Sequence, residues 1–340
     1  MRHDVARGIG REGGGMTTST AGPGLSPQPR PVRSTLRAVA IVACVPYLAL
    51  KTAWVAGSRL GIPADSVLLE HRALMIFANS VTLLMDAAVV VLVLLLTRPW
   101  GQRVPTRLLA VPMWAATGLL APIMVGFPLQ WVGVAFGGTK MQEAAEEPFL
   151  HDWVFNVVYG GFIVQGLALG ALFVLYARDR WGRLLRGMVW DLPSRATGSA
   201  MRTSAVAGSL AAMFPAAMHV LWATGSTAGL PADRIAEPTT DFYLLEGSRV
   251  GFVAVAVTGV LLLAFRPLPT LSVRPPLTMA WIGASAMGAW GGWMLLASLM
   301  PQTDGAESSS AMLMLTYAGE MISGLLLTWA VALLLRRRGA

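Results

Sequence analysis

Charged residues are scarce in this chain. They make up 13% of its 340 residues, whereas hydrophobic residues make up 55%. A soluble domain carries about a quarter charged residues, so this composition excludes an ordinary globular protein and predicts an all-α integral membrane protein. A transmembrane helix needs about 20 mostly apolar residues. Eight such runs are present, at 36–57, 73–97, 107–127, 153–177, 202–224, 246–266, 277–300 and 311–335.

Cysteine and the common catalytic motifs are also missing or nearly so. The single cysteine, Cys44, excludes an intramolecular disulfide and a thiolate metal cluster. The chain has no GxxxxGK[ST] phosphate loop, no HExxH helix and no GxSxG elbow. Its four histidines do not form the pairs on facing helices that haem b needs: they are His3, His71, His151 and His219. We therefore expect no cofactor, no metal and no catalytic residue of these kinds.

The net charge of +8 is distributed by loop. Arginines occupy alternate loops: Arg98, Arg103 and Arg107; Arg178 through Arg202; Arg266 and Arg274; and Arg336, Arg337 and Arg338. Acids occupy the other loops: Asp65 and Glu70; Glu143, Glu146, Glu147 and Asp152; Asp233, Glu237 and Asp241; and Asp304 and Glu307. Cytoplasmic loops are enriched in Lys and Arg, so both termini are predicted to be cytoplasmic. This distribution of positive charge indicates how the chain is oriented in the inner membrane of a prokaryote. The expected partner is the lipid bilayer rather than nucleic acid.

The N-terminal segment differs from the rest of the chain. Residues 1–35 are rich in Gly, Pro, Ser, Thr and Arg and predict a disordered cytoplasmic tail. Met16 is an alternative start. Arg37 and the apolar run behind it resemble a signal peptide that would be cleaved after Gly57. The same kind of segment returns in mid-chain at 202–224, where no signal peptidase acts, which argues against cleavage.

A motif that closes the first apolar run occurs twice. Trp54–Asp65 (WVAGSRLGIPAD) returns as Trp222–Asp233 (WATGSTAGLPAD), 168 residues later. Two further matches follow in the same order: Leu94–Pro99 with Leu262–Pro267, and the segment from Tyr159 with the segment from Tyr317. These matches predict two tandem four-helix repeats, at 36–177 and 202–340, joined by a basic cytoplasmic loop at 178–201. An even number of spans per repeat makes the halves parallel.

Four ionisable side chains fall inside the apolar runs: Lys51, Asp86, His219 and Glu320. Each costs a few kcal/mol at bilayer depth, so each needs a partner, water or a function. We expect a hydrophilic cavity between the repeats, with Asp86 and Glu320 at its floor and Lys51 and His219 above. The alternative is structural: Lys51 reaches the interface, His219 bonds to a backbone carbonyl, and nearby polar groups satisfy the carboxylates.

Three more residues are candidates for the same solute or proton site. Asn79 lies on the helix face of Asp86, seven residues before it. Glu246 and Arg249 form an i, i+3 pair at the predicted outer end of the sixth run and could partner each other.

The basic loop offers a different kind of site. Between 178 and 202, apolar residues such as Trp181 and Trp190 alternate with arginines that include Arg183 and Arg186. This pattern favours a short amphipathic helix on the inner membrane surface. A docking site for a membrane-protein partner is the alternative.

Three functional hypotheses follow. The first is a transporter that moves a small solute or ion, or couples it to protons, through a cavity between the repeats. The second is a non-catalytic membrane subunit or sensor that binds a protein partner. The third is an outer-face or intramembrane enzyme that uses His151 and the neighbouring acids. No sequence feature names a substrate.

Overall fold

Within the described residues of this protein, eight helices are long and apolar enough to cross a membrane, so the chain is a multi-pass membrane protein. The computed structural model describes residues 31–138, 150–232, 235, 239–300 and 310–339. The helices are α1 (Pro31–Val55), α2 (Arg72–Thr97), α3 (Thr106–Ala135), α4 (Asp152–Trp181), α5 (Ser199–Ala223), α6 (Thr240–Phe265), α7 (Arg274–Leu299) and α8 (Ala311–Gly339). No strand occurs within these ranges, which confirms the prediction of an all-α membrane protein.

Some predictions concern residues that are not described. They are the tail up to residue 30, the acids Glu143, Glu146 and Glu147, and Asp233, Glu237, Asp304 and Glu307.

The first helix begins earlier than the first apolar run. α1 begins at Pro31, and proline is favoured in a first turn, where its missing N–H would have no partner. Arg33 fixes this turn by donating to the carbonyl of Leu175 at 3.2 Å and pairing with Asp179 near the end of α4. Residues 31–35, which were predicted to belong to the tail, are therefore helical.

The sixth helix also begins before its apolar run. α6 begins at Thr240, and the hydroxyl of Thr239 accepts a hydrogen bond from the N–H of Phe242 at 3.3 Å. Hydropathy placed the start at 246 because the preceding turns contain polar groups such as Asp241. Glu246 consequently lies nearly two turns inside the helix rather than at its outer end.

The hydrophobic core is divided between the halves of the chain. Every cluster of buried apolar residues takes its fully buried members either from residues up to 176 or from residues after 188. In the first half α1 packs against α2 and α4, and α3 packs against α4. The second half repeats these pairings, with α5 against α6 and α8, and α7 against α8.

The two copies of the repeated motif form the same turn. The indole N–H of Trp54 donates to the carbonyl of Leu60 at 2.7 Å, and that of Trp222 donates to the carbonyl of Ala228 at 3.0 Å. Both indoles are buried. These two tryptophans therefore hold turns together and do not belong to the interfacial aromatic belt that is typical of tryptophans near span ends.

Equivalent glycines complete the two turns. Gly61 and Gly229 have φ values of 78° and 74°, a conformation that glycine adopts at little cost. The carbonyl of Gly61 accepts from the N–H of His151, just before α4, and the carbonyl of Gly229 accepts from the hydroxyl of Ser310, just before α8. Each turn is thus attached to the start of the fourth helix of its own half.

The halves meet where α3 packs against α6 and α7. A Cβ on Gly118 of α3 would lie 2.0 Å from the carbonyl oxygen of Ser285 on α7, so only glycine permits this approach. The indole of Trp114 donates to the hydroxyl of Thr328 on α8 at 3.0 Å. The two halves are therefore in direct backbone contact near the middle of α3.

The connection between the halves is not helical. After α4 ends, residues 182–198 form turns, and the N–H of Val189 donates to the carbonyl of Leu271 at 2.7 Å. The N–H of Val273 donates to the carbonyl of Gly187 at 3.1 Å. The predicted amphipathic helix is therefore wrong. The segment pairs with the α6–α7 connection, and its side chains Val189, Leu192 and Ala196 enter the core of the second half.

The two ends of the bundle differ in charge. One end carries the connections 98–105, 182–198 and 266–273, and we call it the arginine-rich end. The opposite end, where α1, α3, α5 and α7 finish, is called the acidic end.

Candidate functional site

A cavity of about 460 Å³ lies between the two halves. Its walls come from α3 and α4 of the first half and from α6, α7 and α8 of the second. Asp152 and Asp241, in the first turns of α4 and α6, place its mouth at the acidic end. Toward the arginine-rich end the Gly118–Ser285 contact closes the space between α3 and α7. The cavity therefore extends from this contact toward the acidic end of the bundle.

Two walls of the cavity have irregular backbone. α7 changes to a π-helix over Ala286–Trp290, and three of these residues line the cavity. Pro122 of α3, another wall residue, cannot donate the helical hydrogen bond at its position. Short π segments are rare and often mark functional sites, because they re-aim side chains within a helix.

A buried ion pair lies at the inner wall. The guanidinium of Arg249 on α6 donates to Oε2 of Glu320 on α8 at 2.9 Å. It also lies over the ring of Tyr317, 5.2 Å from its centroid. Both Arg249 and Glu320 line the cavity. Gly291 of α7 gives Glu320 its room, since a Cβ there would approach the Cβ of Glu320 to 2.8 Å.

Behind this pair, His219 of α5 lies between two carboxylates. Its Nδ1 is 2.5 Å from Oε2 of Glu246 and forms a hydrogen bond with it. Its Nε2 is 3.4 Å from Oε1 of Glu320, an electrostatic contact whose geometry falls short of a hydrogen bond. His219 is fully buried, so its charge can be compensated only by these protein groups. Glu320 thus connects His219 to the cavity.

The charges of this cluster balance when one proton is bound. Arg249 contributes one positive charge, and Glu246 and Glu320 contribute two negative charges when ionised. A proton on His219 brings the sum to zero and lets both ring nitrogens face an acceptor. Because uncompensated buried charge is costly, the cluster has a physical reason to bind one proton, and Glu320 gives that proton a connection to the cavity.

The first half contains a second, separate cluster. The ammonium of Lys51 on α1 donates to Oδ2 of Asp86 on α2 at 2.5 Å, and both side chains are buried. The ammonium also lies 5.6 Å from the ring centroids of Tyr47 and Phe162. Tyr47 donates its hydroxyl hydrogen to Oε1 of Gln165 on α4. None of these five side chains lines the cavity.

The arrangement differs from the sequence-based expectation in how the carboxylates are distributed. Asp86 and Glu320 were expected to share one floor, but Asp86 pairs with Lys51 and only Glu320 reaches the cavity. Neither Lys51 nor His219 adopts its structural alternative, since both contact carboxylates rather than the interface or a carbonyl. Glu246 and Arg249 approach each other only to 3.9 Å, because Glu320 is the closer partner of the arginine.

The remaining candidates lie elsewhere. Asn79 donates to the carbonyl of Met75 at 2.9 Å within its own helix and is absent from the cavity wall. Arg183 and Arg186 are exposed at the arginine-rich end. The carbonyl of Arg186 accepts a hydrogen bond from Arg338, which ties the connecting segment to the end of α8.

Sequence reasoning missed the residues that give the cavity its character. Its aromatic side chains are Phe127, Trp131, Phe155, Tyr159, Phe252 and Trp290. In a sequence dominated by apolar runs an inward-facing aromatic residue resembles a lipid-facing one. The signal that could have identified Asp152 and Asp241 is their place in first helical turns at the acidic end. Tyr47 and Gln165 carry no charge and escaped the search for ionisable groups.

Comparisons of this chain with models of protein families, with curated proteins and with solved structures gave no match.

Proposed function

We propose that this membrane protein moves a small solute across the bilayer through the cavity between its halves, and that the His219 cluster couples this movement to protons. The contact from Glu320 to His219 carries the proposal, because Glu320 belongs both to the cavity wall and to the buried proton-binding cluster. Ionisable groups at bilayer depth that face a cavity are typical of substrate and proton pathways.

The proposed architecture is a tandem duplication of a parallel four-helix unit, with the arginine-rich end and both termini in the cytoplasm of a prokaryotic cell. The matching turns at Trp54 and Trp222 and the equivalent helix pairings support it. Loops rich in arginine at one end favour that orientation. A cavity between two such halves is where repeat-built transporters bind their substrates.

Transport through this cavity requires the seal beneath it to open. The seal is the α3–α7 contact at Gly118 and Ser285, which is a contact between the two halves rather than within one. A small rotation of one half against the other would separate these backbones and expose the cavity to the arginine-rich end. Such rocking of one bundle against another is the general way in which transporters alternate access.

Proton movement in proteoliposomes tests this proposal. Vesicles that contain a pH-sensitive dye receive, in turn, inward gradients of a cationic, an anionic and a neutral solute. We expect at least one class to drive proton movement in the wild type, and Glu320→Gln to abolish it while the variant remains folded by thermal unfolding. Asp65→Asn, an exposed acid at the acidic end outside the cavity, is the control and should behave as the wild type. The proposal is refuted if no class of solute drives proton movement in vesicles that contain folded protein in both orientations.

One observation favours a second candidate function, a subunit that binds a protein partner. Trp190 is 59% exposed in the connecting segment beside the exposed Arg183 and Arg186. Tryptophan and arginine are enriched where proteins bind one another. If the protein is such a subunit, Glu320→Gln does not change its activity in the cell, whereas the double variant Arg183→Gln, Arg186→Gln no longer binds the partner and loses that activity. The transport proposal predicts the opposite pattern.

A further inference from the structure

We propose that the solute is a small organic cation with a substituted ammonium head, bound between the aromatic wall and the carboxylate of Asp152 at the cavity mouth. This inference rests on the proposed function for its transport aspect, but the binding site is argued from the cavity alone. Three features of the cavity carry it: its charge, its aromatic rings and its size.

The charged lining is negative where it faces free space. Four charged side chains line the cavity, three of them acidic: Asp152, Asp241, Glu320 and Arg249. Arg249 is already committed, since it pairs with Glu320 and lies over the ring of Tyr317. The carboxylate of Asp152 lies in the first turn of α4 and is exposed at the mouth of the cavity. An entering cation therefore meets this carboxylate, whereas Arg249, the basic residue of the described lining, is engaged by Glu320.

The aromatic residues form a wall suited to a cation. The rings of Phe127 and Tyr159 stack with centroids 5.1 Å apart, and Phe155 lies nearly parallel to Tyr159 at 6.2 Å. Trp131 meets Phe127 edge to face at 6.3 Å, and Trp290 contributes a further indole from the π segment of α7. Aromatic rings attract ammonium groups through their negative faces, most strongly when water is excluded, and tryptophan is the best of them.

The size of the cavity limits the ligand. A volume of about 460 Å³ falls within the range of about 300–1,000 Å³ that is usual for small-molecule sites. It accommodates a compact head group with a short substituent. Because a quaternary ammonium is bound through its charge and needs no hydrogen bond, the aromatic rings and the carboxylate of Asp152 suit it.

Choline and its uncharged carbon isostere, 3,3-dimethyl-1-butanol, form a matched pair that isolates the positive charge. Their binding to the full chain in lipid nanodiscs is measured by titration calorimetry. We expect choline to bind at least tenfold more tightly than the isostere. Asp152→Asn should weaken choline binding at least threefold and leave the isostere unchanged. Because Asp152 is exposed, this variant is expected to fold. Asp65→Asn is the control and should change neither.

The outcomes separate this inference from the proposed function. Equal or tighter binding of the isostere, or choline binding that Asp152→Asn leaves unchanged, overturns the cation site. If another class of solute drives proton movement while choline does not bind, the cation site falls and transport stands. If choline binds as described while no solute class drives proton movement, the cation site stands and transport falls.

Discussion

At the residue scale, the two buried clusters serve different ends. Lys51 and Asp86 form a buried ion pair that does not line the cavity between the halves, and we propose that this pair has a structural role in the first half. His219 occupies the equivalent position to Lys51 in the second half, but it contacts two carboxylates and can gain or lose a proton. In the first half Phe162 lies beside Lys51, and in the second half Glu320 lies beside His219. This carboxylate connects the second cluster to the cavity.

The structural role of the Lys51–Asp86 pair predicts a non-additive effect on stability. Asp86→Leu leaves a buried ammonium without its counter-charge and should cost about 3–5 kcal/mol. Lys51→Met should cost a similar amount, because it leaves the buried carboxylate of Asp86 without its counter-charge. The double variant Lys51→Met, Asp86→Leu should recover most of the loss, because no buried charge remains. Thermal unfolding in detergent measures all three. Additive losses in the double variant would show that the two side chains do not act as a pair.

The sequence predicted which residues of these clusters are unusual but not how they pair. Lys51, Asp86, His219 and Glu320 stand out because charge is rare in apolar runs. Hydropathy gives the depth of a residue and not the direction in which its side chain points, so the separation of Asp86 from Glu320 could not be derived. The number and order of the membrane-spanning helices in the described residues were predictable, because eight apolar runs of about 20 residues permit few alternatives.

At the element scale, the important features are the irregular helices and the glycine contacts between them. The length of the apolar run predicted that α6 begins at 246, whereas it begins at Thr240. Hydropathy does not detect a capped first turn that is made of polar residues. The π segment of α7 and the close approach at Gly118 likewise have no sequence signal beyond the presence of glycine. Both lie around the cavity, where the packing of α3 against α7 determines its floor.

This contact predicts a difference between two glycine variants. In Gly118→Ala the new methyl group would meet the backbone carbonyl of Ser285, which cannot move without displacing α7. We expect a destabilisation of about 1–3 kcal/mol and a lowering of the melting temperature by several degrees. Gly170→Ala is the matched control, since nothing lies within 4 Å of its added methyl group. Equal melting temperatures of the two variants would show that the contact between Gly118 and Ser285 is not tight.

At the scale of the whole molecule, the two halves contain different buried charged groups but have equivalent turns and helix pairings. The first half contributes a neutral charge pair, and the second contributes a cluster that needs one proton for neutrality. In the proposed function, a solute in the cavity lies next to that cluster because Glu320 belongs to both. A cation in the cavity and a proton on His219 both add positive charge to one buried region, so each should weaken the binding of the other. The account therefore predicts exchange of cation for proton rather than movement of both together.

The direction of proton movement tests this central claim most directly. Proteoliposomes with a pH-sensitive dye inside receive an inward choline gradient, with the membrane potential clamped by potassium and valinomycin. We predict that wild-type protein makes the lumen more alkaline as protons leave in exchange for choline, and that His219→Gln, which cannot carry the proton, shows no such change. Proton movement in the same direction as choline, or an unchanged signal in His219→Gln, would contradict the account.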